Sequence, residues 1–168
     1  MRQFDEKQSF TQWWIQLINF SLLALLAFFL YKWFFLKEAV DKVSATDSTG
    51  QLVVTITIVL SFLLIYLFRL KTRIDENGLH YRFLPFHFSD KTISWYDIDK
   101  CYIRTYSPIG EYGGWGIRYS PKNGKAFNVK GNKGIQIEFK NGKKILLGTQ
   151  KPEEAQQVIN KYMKNERI

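Results

Sequence analysis

Hydrophobic and polar positions follow three different rhythms along this chain. From Trp13 to Leu36 the sequence is apolar almost without break, and from Leu52 to Phe68 it is so again. A bilayer's hydrocarbon core takes about 17–25 helical residues. Only a helix satisfies its own backbone groups over such a length in lipid. The pattern therefore predicts two transmembrane helices, about 13–36 and 52–68. Trp13, Trp14, Tyr31 and Trp33 fall where interfacial aromatics belong, and Lys32 can reach the headgroups. The first run is too long for a signal peptide, and Ala24 to Ala27, followed by two phenylalanines, is no small-residue cleavage site. Glu38 to Gly50 reads as the short loop of an antiparallel hairpin.

After residue 70 the period falls to two. Leu79, Tyr81 and Phe83 alternate with His80, Arg82 and Leu84, and Ile135, Ile137 and Phe139 with Gln136, Glu138 and Lys140. Asn-Gly pairs at 77–78, 123–124 and 141–142 mark hairpin turns, for which type I′ geometry is expected. Lys91–Asp97, Asp99–Tyr106, Gly116–Ser120 with Ala126–Val129, and Lys143–Leu147 add strands, about seven antiparallel ones in all. The period then changes to that of a helix. Pro152 stands at its first position, Glu153 and Glu154 in its first turn, and Ala155, Val158, Ile159 and Tyr162 along one stripe. Lys161, Lys164 and Arg167 crowd its far end. The expected division is 1–70, a tail and hairpin, and 71–168, a soluble domain large enough for one core.

Charge sharpens that division. Residues 1–70 carry six basic and five acidic side chains, and residues 71–168 eighteen and ten. Arg2 and Lys7 before the hairpin, with Arg69, Lys71 and Arg73 after it, outnumber Lys37 and Lys42 in the loop. The positive-inside bias places both termini and the basic domain in the cytoplasm. A single cysteine, Cys101, forms no intramolecular disulfide and suits a reducing compartment. Gln12, Gln16 and Asn19 form a polar stripe on the first span, with Thr57 and Ser61 on the second, predicting helix–helix contact within the hairpin or between subunits. Neither span has an ionisable residue at its centre, which excludes a transporter core.

The candidate chemistry lies in Ser120–Gly134, where glycines and lysines alternate with no acid. A phosphate loop needs Gly-Lys-Ser/Thr between a strand and a helix. Here Gly124-Lys125 is followed by Ala126, and both flanks are strands, so the stretch is a hairpin and a turn. Its charge remains, and Arg118, Lys122, Lys125, Lys130 and Lys133 are candidate contacts for anionic lipid. Nucleic acid is the weaker reading of this charge, since the aromatics fall in spans and at inward strand positions. Tyr106, Trp115 and Arg118, beside Gly113, Gly114 and Gly116, are a candidate pocket at the mouth of the sheet. His80 and His87 lack metal-pair spacing, and no nucleophile motif is present, so no catalytic, cofactor or metal residue is assigned.

Seven strands and a terminal helix follow the order of a pleckstrin-homology (PH) domain. Ile93-Ser-Trp-Tyr-Asp-Ile98, Gly113-Gly-Trp-Gly-Ile-Arg118, Gly131–Gly134 leading into Ile135-Gln-Ile-Glu138, and Thr149-Gln-Lys-Pro-Glu-Glu154 resemble the bacterial PH-like membrane proteins, over roughly Leu70 to Lys164. The resemblance implies a membrane-anchored α+β protein: a two-helix transmembrane hairpin, then a PH-like seven-stranded antiparallel barrel with one C-terminal helix. It implies the bacterial inner membrane as location and brings no common activity. The first turn, Asp75-Glu-Asn-Gly78, is acidic and tight where inositide-binding PH domains are basic. The reading that follows is a non-catalytic, membrane-anchored module binding a partner protein or its own copy, through hairpin or domain, with its basic face towards anionic lipid. The alternative is an accessory protein, ligand-binding or enzymatic, with a pocket at the sheet mouth.

Overall fold

The computed structural model describes residues 3–165, with side chains as far as Met163. Arg2, Arg167 and the side chain of Lys164, all used in the sequence reading, lie outside that range. The chain forms two compact units, residues 11–67 and residues 1–10 with 68–168. The boundary expected at residue 70 is thus displaced, and the N-terminal segment read as a tail joins the sheet unit.

In the helical unit, α1 (Trp13–Tyr31) continues through one π-helical turn, Lys32–Leu36, and α2 spans Ser48–Leu67. Both are long and apolar enough to cross a membrane. The second starts four residues earlier than its apolar run, because the Asp47 side chain accepts the Gly50 N–H at 3.0 Å and caps it. At the turn between them, buried Trp33 donates Nε1–H to the Val43 carbonyl at 3.3 Å, and Lys32 pairs with Glu38 at 2.8 Å. The polar stripe divides in its roles. Gln16 accepts the Tyr66 hydroxyl at 3.1 Å across the hairpin, and Asn19 is buried. Thr57 and Ser61 instead bond the carbonyls four residues back in their own helix.

The second unit holds nine strands among the described residues, where seven were expected, in two sheets and not in a closed barrel. The first sheet has the order β1 (Phe4–Ser9), β2 (Arg69–Asp75), β3 (Gly78–Leu84), β4 (Lys91–Ser94), all antiparallel. Beyond β4 the Ser94 side chain accepts the Tyr96 N–H and starts a 3₁₀ turn, Trp95–Asp97, which separates β4 from β5 (Ile98–Thr105). A short helix α3 (Pro108–Tyr112) follows, then β6 (Gly116–Ser120), β7 (Gly124–Asn128), β8 (Lys133–Phe139), β9 (Lys144–Gly148) and α4 (Pro152–Asn165). The second sheet runs β5-β8-β9-β7-β6. The chain reverses twice between β7 and β9, so these neighbours pair in parallel, against the all-antiparallel expectation.

The core lies between the sheets. Leu70, Ile74, Leu79, Phe83 and Trp95 meet Phe127, Ile135, Ile137 and Leu147, and Ala155, Val158, Ile159 and Tyr162 of α4 complete it. Each fully buried branched aliphatic contributes about 1.5–3 kcal/mol relative to exposure. Trp95 stacks on Tyr162 at 5.7 Å and donates Nε1–H to the Asp75 carbonyl at 2.9 Å, joining helix and first turn. Beneath α3, Tyr106, Tyr112, Ala126 and Leu146 form a second cluster on the other face of the five-stranded sheet. α3 escaped the period analysis because it is one turn long, though Ser107 caps it and Gly113 ends it at φ 72°.

Candidate functional site

Four strands share a face whose inner part is core and whose outer part is open. Ile137 is fully buried, its partner Ile145 is half-buried, and the same cross-strand row continues to exposed Lys125 and Tyr119. The row therefore leaves the core and ends in solvent. Two hairpin turns flank it. β7 starts at Gly124 of the Asn123-Gly124 turn and β9 soon after the turn at Asn141-Gly142, and β7 and β9 pair in parallel with Lys125 opposite Ile145. Parallel pairing of strands that both begin at turns sets the two turns side by side.

Between them lies an open cleft of about 560 Å³. Tyr119, Phe139 and Ile145 give it an apolar lining, and Lys122, Lys125, Lys143 and Lys144 give it a cationic rim. Lys144 reaches Glu138 only at 4.0 Å, and among the described residues the other three lysines make no ion pair. Their field is felt nearby. Burial first, then the charges of Lys91 and Lys125, push His87 below its ordinary pKa. Lys122 adds to the lowering of Glu111, which is dominated by the hydrogen bond from Arg104.

The turns are held by local bonds. Asn123 N–H donates to Ser120 Oγ at 3.3 Å, Lys143 N–H to Asn141 Oδ1 at 3.1 Å, and Gly142 N–H to the Phe139 carbonyl at 2.8 Å. The expected type I′ geometry does not occur, for it requires positive φ at both turn residues. Gly78, Gly124 and Gly142 have it, at 144°, 77° and 79°, whereas outside glycine only Lys37 and Asp41 do so among the described residues. Gly124 has a second constraint. A Cβ there would lie 2.1 Å from the Lys144 carbonyl oxygen, so the closeness of the two turns depends on its absence.

Of the basic residues expected to act together, Lys122 and Lys125 rim the cleft and three do not. Arg118 donates Nε–H to the Trp115 carbonyl at 2.9 Å, and Lys133 Nζ donates to Thr105 Oγ1 at 2.6 Å. The carbonyl of Lys130 accepts from Gln150 at 2.7 Å, and its residue lies outside the cleft lining. The expected pocket residues also lie elsewhere. Tyr106 is buried against Tyr112 under α3, where burial pushes its hydroxyl up to about 12, and Trp115 donates Nε1–H to the Gly131 carbonyl at 3.1 Å. The missed cleft residues include Tyr119, Phe139, Lys143, Lys144 and Ile145. Their sequence signal was a repeat: Asn-Gly-Lys occurs at 123–125 and again at 141–143.

Other titratable groups serve the framework. Asp75 Oδ1 accepts from the Asn77 N–H at 2.9 Å and lies 3.0 Å from His80 Nε2, while His80 Nδ1 meets Thr92 Oγ1 at 2.9 Å. Burial raises the Asp75 pKa, but the bonds from His80 and Asn77 outweigh it and hold the carboxyl below its usual range. Arg104 joins Gln136, Glu111 and Tyr112, tying α3 to the sheet. Cys101 is buried and its thiol is pushed up to about 12 by burial. Among the described residues no three of His, Cys, Asp and Glu cluster as metal ligands. No family model matches the chain, and no curated protein matches it.

Proposed function

We propose that this protein is a membrane-anchored, non-catalytic binding module of PH-like type, whose sheet unit takes an acidic segment of a partner protein into the lysine-rimmed cleft. The observation that carries the reading is the cleft itself, with four lysines around an apolar lining of Tyr119, Phe139 and Ile145. Such a site favours a short peptide with acids flanking an apolar anchor, the acids steering it and the anchor filling the floor. The two apolar helices support the anchor, since their flanks bear exposed side chains such as Leu17 and Leu60. The lysines and arginines before α1 and after α2, more numerous than those of the loop between, support a cytoplasmic sheet unit, and the sequence resemblance supports a bacterial inner membrane. The framework roles of His80, Cys101 and Glu111 support a binding role over a catalytic one.

Photocrosslinking in native membranes tests this. A photoreactive residue replacing Tyr119 is expected to give a discrete protein adduct, lost when Lys122, Lys125, Lys143 and Lys144 are changed to Glu. Adducts to lipid alone, or a protein adduct indifferent to the four changes, would overturn the assignment of the cleft.

A further inference from the structure

The outward face of the first sheet carries an arrangement that isolated folding does not favour. In register, Lys7 of β1 lies opposite Lys71 of β2, and Lys71 opposite Arg82 of β3. Like charges directly across strands are destabilising. Arg82 is compensated by Asp90 at 3.1 Å, and Arg73 by Asp75 at 3.2 Å. Lys7 and Lys71 have no ion pair among the described residues. The row borders a polar cavity of about 210 Å³.

Its position along the sheet gives it a meaning. The next row on the same face, two residues on, is Ser9–Arg69–Leu84, and beyond that row the chain continues to Phe10 on one strand and Phe68 on the other. These two rings meet at 6.1 Å, and Phe68 also meets Phe86 at 5.9 Å. Phe86 belongs to the β3–β4 loop, where it is 60 % exposed and Phe88 is 89 % exposed. Large apolar rings left in water at a loop tip are unfavourable unless something covers them. Thus the end of the sheet where the chain passes to both apolar helices also bears two uncovered aromatic rings, and two residues behind its exit row stands a row of three cations.

We infer that this end of the sheet unit docks on an anionic bilayer surface, with Phe86 and Phe88 entering the interface and Lys7, Lys71 and Arg82 meeting lipid phosphates. The inference rests on the reading of the two helices as membrane spans. The spacing agrees with it. Two residues of strand separate the cationic row from the exit row by about 7 Å, and the headgroup layer on each side of the hydrocarbon is about 5–7 Å thick. Cations at that distance from the exit residues stand at phosphate depth. On the strands themselves Asp5 and Asp75 stand in rows farther from the exit, while Asp90 of the β3–β4 loop stands beside Arg82. The lipid supplies the counter-charge that Lys7 and Lys71 lack.

The test uses the full chain reconstituted in nanodiscs, with nitroxide labels at Phe88→Cys and, at the far end of the sheet, Tyr96→Cys. With phosphatidylglycerol present, label 88 is expected to be accessible to oxygen and shielded from a water-soluble relaxation agent, and label 96 the reverse. The triple variant K7Q/K71Q/R82Q, high salt, or phosphatidylcholine alone should each return label 88 to water while label 96, the folding control, stays unchanged. Inorganic phosphate at constant ionic strength should leave label 88 in lipid. Release by phosphate would mean a free-anion pocket, and a label 88 in water beside phosphatidylglycerol would mean no docking; either result overturns the inference. Failure of the chain to insert at all would count against the anchor, a separable outcome.

Discussion

Gly124 and Gly142 look alike in sequence, each following an asparagine and preceding a lysine, yet they carry different burdens. Both hold positive φ, which costs a residue with a Cβ about 1 kcal/mol. At Gly142 an added Cβ meets nothing within 4 Å, whereas at Gly124 it would collide with backbone, the Lys144 carbonyl oxygen. Gly142→Ala is therefore expected to lower stability by about 1 kcal/mol, and Gly124→Ala by about 2–4 kcal/mol with loss of the cleft, as thermal melts in detergent would show. The turns were legible because Asn-Gly is a local signal. The collision was not, because it comes from a parallel neighbour twenty residues on. His87 gives a second test at this scale. Its folded pKa lies below the ordinary 6.5, so the unfolded chain takes up its proton first as the medium is acidified. Its contribution to stability is complete above about 6.5 and is lost as pH falls towards the folded pKa. His87→Asn should flatten that slope while lowering stability at neutral pH, since His87 Nδ1 accepts the Phe83 N–H at 3.2 Å.

Among elements, β1 shows most clearly where sequence reading stopped. Phe4, Glu6 and Gln8 alternate with Asp5, Lys7 and Ser9, but two of the three inward residues are polar, so no hydrophobic alternation appears. The structure explains why polar residues suit that face. Glu6 is 5 % exposed and its carboxylate accepts Thr149 Oγ1–H and Gln150 N–H, both at 2.8 Å, at the approach to α4. Gln8 donates Nε2–H to the Gly148 carbonyl at 2.6 Å. The inward stripe of α4 and the strands around it were readable because their partners are apolar and their period is intact. β1 depends on partners about 140 residues away, which no local pattern announces. A fragment of 71–168, expected from sequence to fold alone, begins inside β2 and lacks β1. It should melt without cooperativity. A polypeptide joining residues 3–10 to 68–168 through a short Gly/Ser linker should melt cooperatively, because Ser9 and Arg69 already lie opposite each other. Glu6→Ala in that polypeptide should cost about 1–3 kcal/mol by leaving buried donors without an acceptor. Equal melting of the two polypeptides would show that β1 is an ornament to the sheet.

For the whole molecule, β1–β2 pairing adds a constraint that charge counting cannot supply. β1 precedes both apolar helices and β2 follows them, and the two strands are bonded along their length. If the helices span a membrane, the strand before them and the sheet unit after them must occupy the same side, which an even number of spans satisfies. The proposed cytoplasmic side rests on the lysine and arginine bias. The two apolar helices were legible because length and apolarity suffice to identify them; the joining of the N-terminal strand to the distant sheet was not, since it is a matter of tertiary pairing. The test needs one cysteine on each face. Ser44→Cys, between α1 and α2, is expected to react with an impermeant maleimide on intact cells, and Tyr96→Cys, 74 % exposed in wild type, only after permeabilisation. Native Cys101 supplies its own blank, for it is buried with its thiol pushed up to about 12, so it should stay unlabelled until the protein is denatured. Labelling of both introduced cysteines from the same side would contradict a spanning hairpin. Labelling of Tyr96→Cys alone on intact cells would keep the span and reverse the orientation, and the cytoplasmic placement of the lysine cleft would fall with it.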